Sequence, residues 1–169
     1  WLGDIVMALP VFAALRAHFG GDVLAAGVPH AFAPLLSAVP AVDEVVLLRQ
    51  NGLSGWSALK AEAAELRRGG FDLAVLLPNS FGSAWAARLA GIQERWGFSA
   101  QWRRPLLTRA VHRPGRRTPP LHRSAYYQEL VRGLEIDPVG LEPRLVAPRS
   151  VITRARTLLD AADCDQGRP

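Results

Sequence analysis

Three groups of residues in this chain could do chemistry. The first is Gly3-Asp4, a carboxylate placed where an apolar helical segment begins. An acidic side chain there meets the unpaired N–H groups of the first turn and reads as an N-cap. The second is Pro78-Asn79-Ser80, which ends the apolar run Val75-Leu76-Leu77 with an amide and a hydroxyl. In a sheet covered by helices, ligands bind beyond the carboxyl ends of the strands. The polar atoms of this tripeptide, with the free N–H groups of the next helix, can therefore face a cleft. The same three residues also make a turn and an N-cap, and sequence alone leaves both readings open. The third group is arginine. Residues 88–123 carry nine of them, at 88, 95, 103, 104, 109, 113, 116, 117 and 123, against one acid, Glu94, although the whole chain has a net charge of only +5. Such clustering suits an anionic partner (a phosphosugar, a lipid headgroup or nucleic acid) or makes a solvated basic face.

Other chemistries find little support. Gly20-Gly21 and Gly69-Gly70 read as helix stops, with none of the spacing of a phosphate-binding loop. The four histidines, 18, 30, 112 and 122, have no helical-spacing partners among themselves, and a lone Cys164 supports neither a disulfide framework nor a thiolate zinc site. No cofactor or metal is expected. Of the 169 residues, 49% are apolar, enough for one domain with a sizeable core, but no run approaches the length needed to span a bilayer. No signal peptide is legible, so a soluble cytoplasmic protein is expected.

The elements that must position these residues alternate between helical and extended. Ala8, Phe12, Leu15 and Phe19 share one helix face, and Pro10 is expected to divide that segment. Residues 22–28 read as extended, 29–39 as a short helix, and 44–48 as a strand. Residues 57–68 read as a helix with Leu59, Ala63 and Leu66 inward, followed by a strand at 72–77. A helix capped by Ser80 and stopped by Gly91 comes next, then a short strand at 95–98. The Pro/Gly/Arg stretch at 113–120 reads as a mobile loop. Tyr127, Leu130, Val131 and Leu134 mark one further helix face; Val151, Ala155, Leu158 and Leu159 mark the last. This alternation predicts an α/β fold with a mostly parallel sheet.

Two blocks carry a resemblance. WLGDIVMALPVFAALRAHF at 1–19 resembles the opening loop and helix of the ADP-heptose:lipopolysaccharide heptosyltransferases of glycosyltransferase family 9. FDLAVLLPNSFGSAWAARLAGIQERWGF at 71–98 is similar to the heptosyltransferase II branch, in the order Leu-Pro-Asn-Ser-Phe, Ser-Ala, Ala-Gly-Ile and Arg-x-Gly-aromatic. YYQEL at 126–130 falls where the family has an aromatic helix after an arginine-bearing loop. The likeness fades beyond residue 135. Gly82 stands where a lysine is common and Phe98 replaces a frequent tryptophan.

The resemblance implies a Rossmann-like, acceptor-binding N-terminal domain of a two-domain GT-B glycosyltransferase. Residues 1–160 are expected to form that domain and 161–169 to begin a linker, with the family's initial strand and nucleotide-binding domain missing from this fragment. The missing strand would be central, leaving two strand edges exposed. The implied reaction is inverting transfer of heptose from ADP-L-glycero-D-manno-heptose to the first heptose of the lipopolysaccharide inner core. The lipid-linked acceptor would bring the protein to the cytoplasmic face of the inner membrane. On this resemblance Asp4 matches the proposed catalytic base, and Asn79 and Ser80 line the acceptor side. Arg103 is the first choice for acceptor phosphates, followed by Arg95 and then, on charge alone, Arg104, Arg109 and Arg113. Trp85, Trp96 and Trp102 fit core or lid positions as readily as sugar stacking. Two alternatives stand: another family 9 transferase such as heptosyltransferase I or III, which the Pro-Asn-Ser-Phe block opposes, and a basic nucleic-acid-binding domain, which lacks any recognition motif. The fragment by itself is expected to be inactive.

Overall fold

Helix α1, Leu2–His18, is apolar on every side, which fits a helix buried between layers better than one lying on a surface. The computed structural model describes residues 2–48, 55–114 and 123–162. In it α1 runs unbroken through Pro10, contrary to the expected division. Pro10 loses one helical hydrogen bond, but Leu9, Pro10 and Val11 are all buried, and that packing offsets the loss. The expected single face is also wrong. Ala8, Val11, Ala14 and Leu15 pack into one apolar cluster, whereas Leu9, with Ile5 and Phe12, packs into another.

Strands β1 (Ala25–Pro29) and β2 (Glu44–Leu48) form one parallel pair, with Gly27 opposite Val46. A short 3-10 turn at His30–Phe32 and helix α2 (Ala33–Leu36) connect them. Helix α3 (Gly55–Gly69) leads to β3 (Leu73–Leu76), α4 (Phe81–Ala90), β4 (Glu94–Phe98) and β5 (Arg109–Val111). These last three strands form a second parallel sheet in the order β3-β4-β5. Helix α5 (Arg123–Gly133) packs on α1. Its Leu130 and Val131, and Leu134 just after it, are almost wholly buried, each contributing about 1.5–3 kcal/mol of transfer free energy.

The expected sheet is therefore two parallel sheets. Edges β1 and β3 line a cleft of about 720 Å³ between them, floored by Phe12 and Leu15 of α1 and by Glu62 and Leu66 of α3. This matches the expectation of two strand edges left open. Helix α1 contributes to the clusters on both sides and so ties the sheets together.

The last expected helix forms where its spacing places it. Helix α6 (Arg149–Ala161) forms, but Val151, Ala155, Leu158 and Leu159 all face outward. Its periodicity is helical, yet no described element presents a surface to that face. Most of the 113–120 loop lies outside the described residues.

Candidate functional site

The ends of α1 show which end of the fold carries the site. At its carboxyl end Arg16 bonds the carboxylate of Asp43, which also accepts the N–H of Leu24 at 2.7 Å. Leu24 and Asp43 immediately precede β1 and β2, so this is the amino end of the strands. A 17-residue helix spans about 25 Å. Asp4, in the first turn of α1, therefore lies toward the carboxyl ends. Gly3 and Asp4 are helical, so Asp4 sits inside the first turn and is not the N-cap. A carboxylate there is favoured by the helix dipole.

The same end gathers the β3–α4 junction. Ser80 is the N-cap of α4, and its hydroxyl accepts the N–H of Ser83 at 3.2 Å, as its sequence position predicts. Gly91 closes the helix with a left-handed φ of 87°. Asn79 donates through Nδ2 to the hydroxyl of Tyr126 at 2.8 Å, while its Oδ1 is buried with no hydrogen-bond partner among the described residues. Ser124, two residues before Tyr126 on α5, donates to Met7 Sδ at 3.3 Å. The first turn of α5 thus bridges α1, one turn beyond Asp4, and the Asn79–Ser80 junction. Arg113 lies over the Tyr126 ring, 5.8 Å from its centroid, and brings positive charge to this junction.

Arg103 is corrected by its geometry. Expected on the acceptor, it is completely buried. Its Nε donates to the Phe98 carbonyl at 2.8 Å, and its Nη atoms reach the carbonyls of Pro78, Ser80 and Leu76 and the Ser83 hydroxyl. These partners come from the ends of β3 and β4 and the start of α4. The guanidinium pins the junction from beneath and has no face toward a ligand. Gly97 makes room for it: a Cβ there would stand 3.0 Å from Arg103 Nη2 and 3.1 Å from the Leu76 carbonyl. Burial lowers the guanidinium's proton affinity and the Tyr126 phenol opposes that shift.

Arg95 is half-buried and engaged by backbone carbonyls. It donates to the carbonyls of Leu106 at 2.6 Å, Gln93 at 2.8 Å and Ile92, bracing the start of β4 at the opposite end from Asn79. Arg109 pairs with Glu135 at 2.5 Å and lies over Trp96. Arg104 is exposed and begins the short 3-10 turn Arg104–Leu106 after β4. The structure therefore brings Asp4, Asn79, Ser80 and Arg113 to one end, together with Tyr126, which sequence reasoning did not single out as a candidate. Its signal was the aromatic pair in YYQEL.

No protein-family model matches the chain. Curated proteins do. Over 108 residues, 63% of this chain, it is 32% identical to lipopolysaccharide heptosyltransferase 2 of Escherichia coli strain K12. This chain is similar to lipopolysaccharide heptosyltransferase 2. The heptosyltransferase 2 of Salmonella typhimurium is 33% identical over 111 residues. The chain spans about a third of the length of these relatives, 31% and 32%. Its fold is that of half of the solved E. coli ADP-heptose lps heptosyltransferase II, which aligns with all of this chain at a TM-score of 0.73 and 24% identity. A family 9 glycosyltransferase from Veillonella parvula aligns with 98% of it at 0.84 and 18% identity, over 48% of that protein. An α/β fold with parallel strands, covering about half of each of these two solved proteins, is what the resemblance implied.

Proposed function

We propose that this chain is the acceptor-binding part of a lipopolysaccharide heptosyltransferase. The full protein transfers heptose from ADP-L-glycero-D-manno-heptose to the first heptose of the inner core, with inversion at the anomeric carbon. The observation that carries this reading is the similarity to heptosyltransferase 2 over 108 residues, combined with a fold that puts Asp4 at the same end as Asn79 and Ser80. Inverting transfer needs a base for the attacking hydroxyl's proton. In this reading Asp4 accepts that proton as the hydroxyl oxygen bonds the anomeric carbon and ADP leaves. Asn79 and Ser80 orient acceptor hydroxyls, and Arg113 meets acceptor phosphate or carboxylate. The acceptor is lipid-linked, so the protein works at the cytoplasmic face of the inner membrane as a peripheral protein. Among the described residues no helix is long and apolar enough to cross a membrane.

The test is heptose transfer from ADP-heptose to a heptose-primed core by the full-length protein and its Asp4→Asn variant. The expected result is transfer that falls by roughly a hundredfold or more in the variant with folding intact. Undiminished transfer in the variant would return Asp4 to a purely helical role. Transfer by neither protein to any core acceptor would sink the heptosyltransferase reading.

A further inference from the structure

The turn after β4 presents a tryptophan to solvent in an unusual way. Trp102 is 94% exposed, the largest value among the exposed large apolar residues described. It and Gln101 both hold left-handed backbone conformations, φ 61° and 49°, which non-glycine residues rarely adopt. Such strain persists only where the surroundings over-determine it. Here they do: Arg103 behind the turn is wholly buried and bonded to three segments, and Leu106 just beyond is buried too. The fold thus anchors both flanks of an indole that is left almost wholly to solvent.

We propose that this turn docks the protein onto an anionic lipid surface, with the Trp102 indole among the headgroups and the exposed Arg104 paired with lipid phosphate. Tryptophan is the side chain favoured at membrane–water interfaces, and arginine beside it adds attraction to anionic lipid. The turn emerges from the carboxyl end of β4, and Arg103 links it directly to Pro78 and Ser80. It therefore shares an end with the Asn79 junction. Two further exposed aromatics, Trp56 and Phe81, begin α3 and α4 after β2 and β3, and so lie at that end also. Both pack against Trp85, with ring centroids 6.1 and 5.7 Å away, so Trp102 with the exposed Arg104 beside it is the isolated aromatic–arginine pair that fits a headgroup layer. The inference rests on the reading of a lipid-borne acceptor, because it orients the acceptor site toward the surface that carries it.

The test uses the full-length protein with vesicles of phosphatidylcholine, alone or with phosphatidylglycerol, in a flotation assay. Binding to the anionic vesicles is expected, weakened by salt, about tenfold weaker in Trp102→Ser and roughly fivefold weaker in Arg104→Ser. Both side chains are exposed, so circular dichroism should be unchanged. Heptose transfer to a lipid-free core oligosaccharide should survive Trp102→Ser, while transfer to a vesicle-embedded acceptor falls. Failure of the parent protein to float, or equal flotation of parent and Trp102→Ser, overturns the proposal. So does loss of transfer to the lipid-free acceptor in Trp102→Ser, which would make the indole an acceptor contact. Trp102-dependent flotation without transfer to either acceptor would uphold docking and refute the heptosyltransferase reading alone.

Discussion

The Asn79 amide donates to the Tyr126 hydroxyl at 2.8 Å, joining the end of β3 to the first turn of α5 across 47 residues of sequence. That bond sets which way the amide faces. Tyr126→Phe keeps the ring, which packs 4.9 Å from Phe98, and removes only the hydroxyl. A stability loss of about 0.5–1.5 kcal/mol is expected from one hydrogen bond. In the full-length protein the larger expected effect is a raised KM for the acceptor, since Asn79 is released while the rest of the site stays. Acceptor titrations check this; an unchanged KM would leave Asn79 out of acceptor binding.

Arg103 separates two roles cleanly. A guanidinium that binds acceptor can be removed with little loss of stability. One that satisfies buried carbonyls of Phe98, Leu76 and Pro78 cannot. Arg103→Met is expected to cost at least about 3 kcal/mol in urea unfolding, because several buried acceptors lose a charged donor together. Arg103→Lys should recover little, as one ammonium cannot span partners placed around a planar fork. Gly97→Ala should destabilise in the same direction by crowding Nη2.

Why these roles were not legible follows from their chemistry. The β3–α4 junction was readable because a capping serine and a left-handed glycine are local devices, and both stand where expected at Ser80 and Gly91. The same holds for α5, whose buried face follows its spacing. Arg103 was misread because burial of an arginine depends on carbonyls contributed by residues 76, 78, 80 and 98, which no spacing rule brings together. Helix α1 defeated the single-face reading because it is buried between two layers, so its apolar residues have no one period. In α6 the periodicity was present but the partner surface was not.

Stability should respond to pH through two carboxyls of opposite sign. The Leu24 amide, and after it the Arg16 guanidinium, hold the Asp43 carboxyl below its ordinary range, against the opposing effect of burial. Its contribution is therefore complete above the ordinary aspartate range and is lost as pH falls through the lowered value. Burial pushes Glu62, beside the cleft between the sheets, upward. Its charging thus costs stability as pH rises from the ordinary glutamate range through the raised value. Asp43→Asn should lower the urea midpoint at neutral pH and converge with the parent in acid. Glu62→Gln should raise it at neutral pH and also converge in acid. Midpoints measured across pH check both signs.

Gln128 offers the sharpest test of the packing. It is 1% exposed in the helix that packs on α1, and neither its Oε1 nor its Nε2 has a hydrogen-bond partner among the described residues. Burying an amide unpaired is costly, so an apolar side chain of similar length should do better in the same space. Gln128→Met keeps the unbranched shape and removes both polar atoms. The expected result is a gain of about 1 kcal/mol, seen as a higher urea midpoint at an unchanged slope. Most core substitutions destabilise, so the sign itself is informative. A loss of stability in this variant would mean that the amide is satisfied in solution, by a buried water or by a segment outside the described residues, and that the α1–α5 interface has a polar partner still to be located.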